Sequence, residues 1–249
     1  MKTQDVAVIG ICAALYAAFG LLTANFSFLG IGFLPAVLIP AVFATLYGPW
    51  VGGISGAIGI FIRDMFVHGI PLLSLAAGVP PNFILFFLIG YLAHRNISLK
   101  QALAAVTVAA VALLLPAIIF LPDFTVLTGL STEGFLLAFT LTVILSLAII
   151  AAVAIRWKEW RSYAIAAVIG QAAGAGLLSV TVYAVSPLFL SYFTAGPIPA
   201  SLVLPIFVWT FATELPFILL AGPPIIKACY RAFPSLKRKE NQVTNVEKS

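Results

Sequence analysis

The sequence predicts an all-α fold, a polytopic membrane helix bundle with about eight transmembrane segments. Three observations predict it. Hydrophobic residues make up 62% of the 249 residues and charged residues only 8%, too few charges to cover a soluble domain of this size. The apolar residues form separated runs of membrane-spanning length. The basic residues occur at alternate ends of these runs, as expected for a multi-pass protein of the cell membrane.

A helix needs roughly 20 residues to cross the hydrocarbon core of a bilayer. The predicted segments are 5–25, 32–47, 49–66, 72–94, 101–120, 133–155, 162–190 and 199–222. The first lacks a cleavage region and is predicted to be a retained helix. Pro80–Pro81 interrupts the fourth, so we expect an external loop or half-helix before it and a short span from Pro81 to Ala93 after it. Residues 1–232 are thus the transmembrane domain, and 233–249 a polar cytoplasmic tail expected to be disordered.

The basic residues predict the orientation. Lys and Arg occur near the N-terminus, at 95–100, at 156–161 and from 227 onward, whereas the alternate loops at 26–31, 67–71, 121–132 and 191–198 contain neither. Since cytoplasmic loops carry the excess of Lys and Arg, both termini are predicted to be cytoplasmic. The same scattered placement argues against nucleic-acid binding despite a net charge of +5. The two cysteines lie far apart in or beside apolar runs and predict neither a disulfide framework nor a metal site.

The third segment begins with GPWVGGISGAIGIFIRD and places a cation and an anion next to each other. One helical stripe carries Gly52, Gly56, Gly59 and Arg63, and Asp64 lies on the neighbouring stripe. Small residues at this spacing let helices approach closely in lipid. We therefore expect Arg63 and Asp64 to form a polar wall of an outward-facing cavity. The alternative is an interfacial pair that reaches the lipid headgroups.

Two other polar residues are predicted to lie at a similar depth. His68 follows the third segment, and Asn82 begins the helix after Pro81. Both are candidate substrate contacts, with a loop or capping role as the alternative. Gln171, in IGQAAGAG, is expected to make a contact between helices.

The last segment contains WTFATELPF, with an intramembrane carboxylate at Glu214. Thr210 shares its helical face, and Trp209 and Thr213 share the adjacent one. Charged groups within a membrane mark functional sites by default, so all four are candidate substrate contacts. Alternatively, Glu214 only holds helices together. Trp209 and Thr210 are expected nearer the cavity floor.

The order of these features resembles the substrate-binding S component of energy-coupling factor (ECF) vitamin transporters. The resemblance covers about residues 5–95. It includes an alanine pattern on the first helix, a short second helix, YGPWVGGISGAIG and then PPNFILFFLIGYLAHR. The alanines that fit the family's docking pattern are Ala13, Ala14, Ala17 and Ala18. Because the family typically has six spans, the extra helices are expected around 101–155.

The resemblance implies capture of a small vitamin-like molecule from outside and delivery inward. The alanine face would dock on a transmembrane coupling subunit, which works with two cytoplasmic ATPases. The sequence contains no G-x-x-x-x-G-K-[ST] phosphate loop, so the power must come from such partners or from an ion gradient. No cofactor is expected. An Arg–Asp pair, an Asn and a Trp suit a zwitterionic or heteroaromatic vitamin.

Two other classes of function are alternatives. A stand-alone secondary transporter would use Glu214 as its proton carrier. An intramembrane enzyme is disfavoured, because the chain has two histidines and no His-Glu-x-x-His cluster. The sequence therefore predicts a transport protein without catalytic or metal-ligating residues.

Overall fold

The structure, a computed structural model, describes residues 2–98, 160–193 and 196–236, with isolated residues between 100 and 152. The predicted spans at 101–120 and 133–155, and the predicted tail beyond residue 236, lie outside these continuous ranges. All statements about the fold concern the described residues.

The described chain is almost entirely helical. Its helices are α1 (Thr3–Leu21), α2 (Leu38–Tyr47), α3 (Pro49–Val67), α4 (Pro71–Leu92), α5 (Arg161–Val185) and α6 (Val203–Ala232). Single 3₁₀ turns occur at Pro35–Val37, Ser186–Leu188 and Ala200–Leu202. A small antiparallel hairpin, β1 (Ser27–Phe28) and β2 (Ile31–Gly32), connects α1 to the turn before α2.

Five of these helices are long and apolar enough to cross a membrane: α1, α3, α4, and α5 and α6 with their adjoining turns. The helix formed by Pro35–Tyr47 is apolar but shorter, as the short second segment predicted. An all-helical membrane bundle is therefore the fold class. The number of spans and the side of each terminus stay predictions.

The fourth predicted segment is corrected by the structure. Residues expected to form an external loop or half-helix belong to α4, which is helical from Pro71 to Leu92 with one π-helical turn at Ser74–Gly78. Pro80 and Pro81 follow just after the π turn and have no backbone N–H to donate to that turn. The wider π turn therefore absorbs the change in backbone geometry without ending the helix.

The glycine stripe of α3 packs against three other helices. A Cβ atom at Gly52 would collide with Ala44 of α2, and one at Gly56 would collide with the ring of Phe86 in α4. At Gly59 it would lie 2.8 Å from the Tyr16 ring of α1. The predicted close approach through small residues is confirmed, and it orients the Arg63 face of α3 toward the interior.

Helix α5 approaches α4 through a second pair of glycines. An added Cβ at Gly170 would lie 2.7 Å from the Leu85 carbonyl oxygen, and one at Gly174 would lie 2.8 Å from Leu85 Cβ. Gln171 follows Gly170 and is fully buried. This packing brings the polar face of α5 to the centre of the bundle, opposite α6.

Candidate functional site

A cavity of about 820 Å³, including the part open to solvent, lies between α3, α4, α5 and α6. The hairpin, through Gly30–Gly32, and the loop residues Tyr192 and Phe193 border it at the predicted outer end. The walls of the cavity combine apolar side chains with a few polar groups that converge on the void.

Arg63 and Asp64 form an ion pair in the cavity wall. Arg63 Nη1 donates to Asp64 Oδ1 at 3.2 Å, and Arg63 Nε donates to the Gly20 carbonyl at 3.4 Å. Ser74 of α4 donates to the second carboxylate oxygen, Oδ2, at 2.7 Å. The two charged residues are only 7% and 6% exposed, so the expectation that they face the bundle interior is confirmed. Two of the five N–H donors of Arg63 and both carboxylate oxygens of Asp64 are hydrogen-bonded within the protein.

Two glycines make room for this ion pair. A Cβ at Gly32 of the hairpin would collide with Arg63 Nη2. At Gly78, in the π turn of α4, a Cβ would lie 2.6 Å from Asp64 Oδ2. Both charged groups are therefore positioned by backbone from another element that approaches more closely than any side chain permits.

His68 lies at the outer rim of the cavity, as predicted from its position after α3. Its Nδ1 accepts the Ile70 backbone N–H at 3.1 Å, and its Nε2 is 3.8 Å from Asp64 Oδ2. The ring stacks at a tilt on Tyr192, with 5.2 Å between centroids. Tyr192 in turn donates to the Gly30 carbonyl at 2.9 Å. Burial raises the pKa of Tyr192, and the negative charge of Asp64 raises it further, so the hydroxyl keeps the proton it donates.

Asn82 of α4 lines the cavity, and both the oxygen and the nitrogen of its amide are hydrogen-bonded. Tyr16 of α1 donates to Asn82 Oδ1 at 2.7 Å, and Asn82 Nδ2 donates to the Gly78 carbonyl at 2.9 Å. The Tyr16 ring is 1% exposed and packs edge-on against Phe86. The hydrogen bond from Tyr16, which does not line the cavity, therefore fixes the orientation of the Asn82 amide.

Glu214 lies in the cavity wall opposite the ion pair, and its partner is Gln171. The amide nitrogen Nε2 of Gln171 donates to Glu214 Oε2 at 2.7 Å and to the Thr210 carbonyl at 3.2 Å. Gln171 is fully buried, and Thr210 and Glu214 are each 5% exposed. The predicted contact between helices at Gln171 is confirmed. Because Gln171 also lines the cavity, it is a candidate site residue that sequence reasoning did not include.

Trp209 and Thr213 do not line this cavity, in contrast to the expectation that Trp209 lies near its floor. The indole of Trp209 donates to the Ile31 carbonyl at 3.2 Å and packs on Phe28, 5.6 Å away. The Thr213 hydroxyl donates to the Trp209 carbonyl at 2.6 Å. Both residues lie on the face of α6 adjacent to Thr210 and Glu214, and that face supports the hairpin rather than the void.

The four alanines predicted to form one docking face divide into two pairs. Ala13 and Ala17 are 2% and 4% exposed, and the Ala13 carbonyl meets the backbone of α3 at Gly59. Ala14 and Ala18 are exposed on the outer surface of α1. The first pair therefore belongs to the packing between α1 and α3, and only Ala14 and Ala18 remain accessible.

The arrangement is suited to holding a small molecule by several polar contacts. One guanidinium and two carboxyl groups face the same void, together with two amide side chains. Among the described residues, no group of three His, Cys, Asp or Glu side chains is placed to hold a metal ion. Tyr16 and Ser74 carry no sequence signal of their own, because aromatic and hydroxyl residues are common in membrane helices. Their contacts depend on which helix faces meet.

The chain was compared with protein families, curated proteins and solved structures, and no family model, curated protein or solved structure matches it.

Proposed function

We propose that the chain is the membrane-embedded, substrate-capturing subunit of an ECF-type importer, binding a small vitamin-like molecule from outside. The observation that carries this proposal is the polar cavity enclosed by apolar helices and bordered by the hairpin at the predicted outer end. Burying charged and polar groups inside a membrane bundle costs free energy unless they are paired or have a ligand to bind. Arg63, Asp64 and Glu214 in the wall are hydrogen-bonded to groups from other elements, and such preorganisation lowers the entropy cost of binding.

The exposed surface of α1 supports the second half of the proposal. Ala14 and Ala18 give the helix a smooth strip on which another transmembrane helix can pack without a side chain intervening. The partner would be the coupling subunit, and its two cytoplasmic ATPases would drive delivery of the bound molecule inward.

The test is purification of the protein from cells that contain an ECF coupling module, followed by native mass spectrometry. We expect a retained small molecule on the isolated chain and co-purification of the coupling subunit with the ATPases. A chain that carries no small molecule and brings no ATPase would contradict the proposal.

A second candidate, proton-coupled secondary transport, is favoured by one observation. Glu214 is a membrane-buried carboxyl group that lies against the cavity and is bonded to a neutral amide. A group in this position can bind substrate and proton alternately.

Uptake by the chain alone in proteoliposomes distinguishes the two candidates. If the chain is a proton-coupled carrier, uptake occurs in proteoliposomes without any partner, collapses with a protonophore and is lost in Glu214→Gln. If it is a capture subunit, proteoliposomes with the chain alone show no uptake, and transport requires the coupling module and ATP.

A further inference from the structure

The ion pair and the Glu214 region of the cavity differ in whether the described residues include fully buried polar atoms without a hydrogen-bond partner. Arg63 and Asp64, which bond each other, the Gly20 carbonyl and the Ser74 hydroxyl, contribute no such atom. In the Glu214 region, by contrast, Gln171 Oε1 and Thr210 Oγ1 are buried and have no hydrogen-bond partner within the described part of the chain. Both residues line the cavity. A buried polar atom without a partner is costly, so unpaired atoms at a cavity wall indicate where a ligand supplies the missing bonds.

The unpaired atoms define the chemistry of that ligand. Gln171 Oε1 is a carbonyl oxygen and only accepts hydrogen bonds. The amide nitrogen of the same side chain already donates to Glu214 and to the Thr210 carbonyl. Glu214 as a carboxylate also accepts, and the Thr210 hydroxyl can do either. The cluster of Gln171, Thr210 and Glu214 therefore offers mainly acceptors, and its complement is a group with several N–H donors.

The charged groups of the cavity wall also favour a ligand with N–H donors. The cavity walls carry one guanidinium, on Arg63, and two carboxyl groups, on Asp64 and Glu214. Asp64 is neutralised by Arg63 at 3.2 Å, whereas Glu214 is hydrogen-bonded by a neutral amide. Burial of a carboxylate is much less costly when a cation pairs with it. An organic cation in the void would provide that pairing.

We propose that the Gln171–Thr210–Glu214 cluster is the recognition site for the ligand and that it binds a cationic, N–H-rich head group such as an amidinium or a protonated aminoheterocycle. The Arg63–Asp64 pair then shapes the opposite wall and is not the primary anchor. This inference rests on the proposed function, since it names the chemical class of the molecule that the cavity captures.

Three probes of nearly equal shape test the class of ligand: benzamidine (a cation), benzamide (neutral) and benzoate (an anion). Their binding to the purified full chain is measured by calorimetry or ligand-observed NMR. We expect benzamidine to bind at least about tenfold more tightly than either analogue, because charge-assisted hydrogen bonds are the strong ones. Absence of benzamidine binding, or equal or tighter binding of benzoate, would overturn the proposal.

Variants of one helix locate the site. Thr210→Val and Glu214→Gln should each weaken benzamidine binding about tenfold or more, and Thr210→Ser should restore the Thr210 contribution. Thr213→Val is the matched control, because Thr213 lies one helical turn from Thr210 and outside the cavity lining. Its binding of benzamidine should be unchanged.

Asp64→Asn tests the opposite wall of the cavity. A loss of binding in Asp64→Asn together with full binding in Glu214→Gln would place the anchor at the ion pair and refute the inference.

Each variant is first checked for a monodisperse elution profile and a cooperative thermal transition, so that misfolding is not scored as lost binding. If Glu214→Gln does not fold, the Thr210→Val and Thr210→Ser pair decides the question. The retained molecule found by native mass spectrometry separates the two proposals. An anionic ligand would leave the capture function intact and overturn this inference, whereas the absence of any ligand would contradict the capture function.

Discussion

Glycine positions in this protein determine where its charged side chains lie. Gly32 and Gly78 come from different elements, yet each provides space that a Cβ atom would fill beside Arg63 or Asp64. The charges are therefore held by shape as well as by hydrogen bonds. This makes the site sensitive to the addition of single methyl groups at residues that do not themselves bind anything.

Gly78→Ala is expected to displace the Asp64 carboxylate and break its bond from Ser74, since the new methyl group would lie 2.6 Å from Asp64 Oδ2. Overpacking of this kind costs about 1–3 kcal/mol of stability. Gly10→Ala is the matched control, because a Cβ at Gly10 of α1 has no atom within 4 Å, and alanine should stabilise the helix by about 0.5–1 kcal/mol. Thermal unfolding of both variants in the same detergent measures the difference; equal transition temperatures would contradict the steric argument.

Tyr16→Phe removes only the hydroxyl that donates to Asn82 Oδ1. The ring still fills its place against Phe86, so the expected loss is about 1 kcal/mol together with weaker ligand retention. Tyr183→Phe, at a residue 42% exposed on α5, should change stability by less than about 0.5 kcal/mol. Chemical denaturation reports the first quantity and native mass spectrometry the second. Identical behaviour of the two variants would show that the Tyr16 bond has no positioning role.

Helix packing explains why one face of α1 is available for a partner and the other is not. Ala13 and Ala17 are buried, and the Ala13 carbonyl lies close to Gly59 of α3. Ala14 and Ala18 are displaced from them by one position and therefore point away from the bundle. Alanine therefore packs inside the bundle on one stripe of α1 and leaves the neighbouring stripe accessible to a partner.

Ala14→Leu combined with Ala18→Leu should abolish docking on the coupling subunit while leaving ligand retention unchanged, because both side chains are exposed. Ala13→Leu is the contrasting variant and should destabilise the chain itself by about 1–3 kcal/mol through overpacking. Co-purification with the ATPases and thermal unfolding separate the two effects. Normal co-purification of the double variant would exclude this face as the docking surface.

The two ends of the bundle differ in the charge of the loops that the structure describes. The hairpin and the Tyr192–Phe193 loop contain no Lys or Arg, while His94, Arg95 and Arg161 lie toward the opposite end of their helices. By the positive-inside rule, the cavity end is predicted to lie outside.

Cysteine labelling tests this orientation. In a background lacking Cys12 and Cys229, Ser27→Cys in the exposed hairpin should react with a membrane-impermeant maleimide on intact cells. Ser235→Cys, exposed after α6, should react only after permeabilisation. The reverse pattern would place the cavity on the cytoplasmic side and exclude capture from outside.

The bundle fold, the burial of the Arg63 face and the contact between helices at Gln171 could be predicted from the amino-acid pattern, because helical periodicity and glycine spacing are local properties. The continuity of α4 across Pro80–Pro81 could not, since it depends on a π turn that packs against α3 and α5. The same is true of the contact between Gln171 and Glu214, which are 43 residues apart, and of the exclusion of Trp209 and Thr213 from the cavity. These features depend on which faces of distant helices meet, and that is set by the close packing of the whole bundle rather than by any single segment.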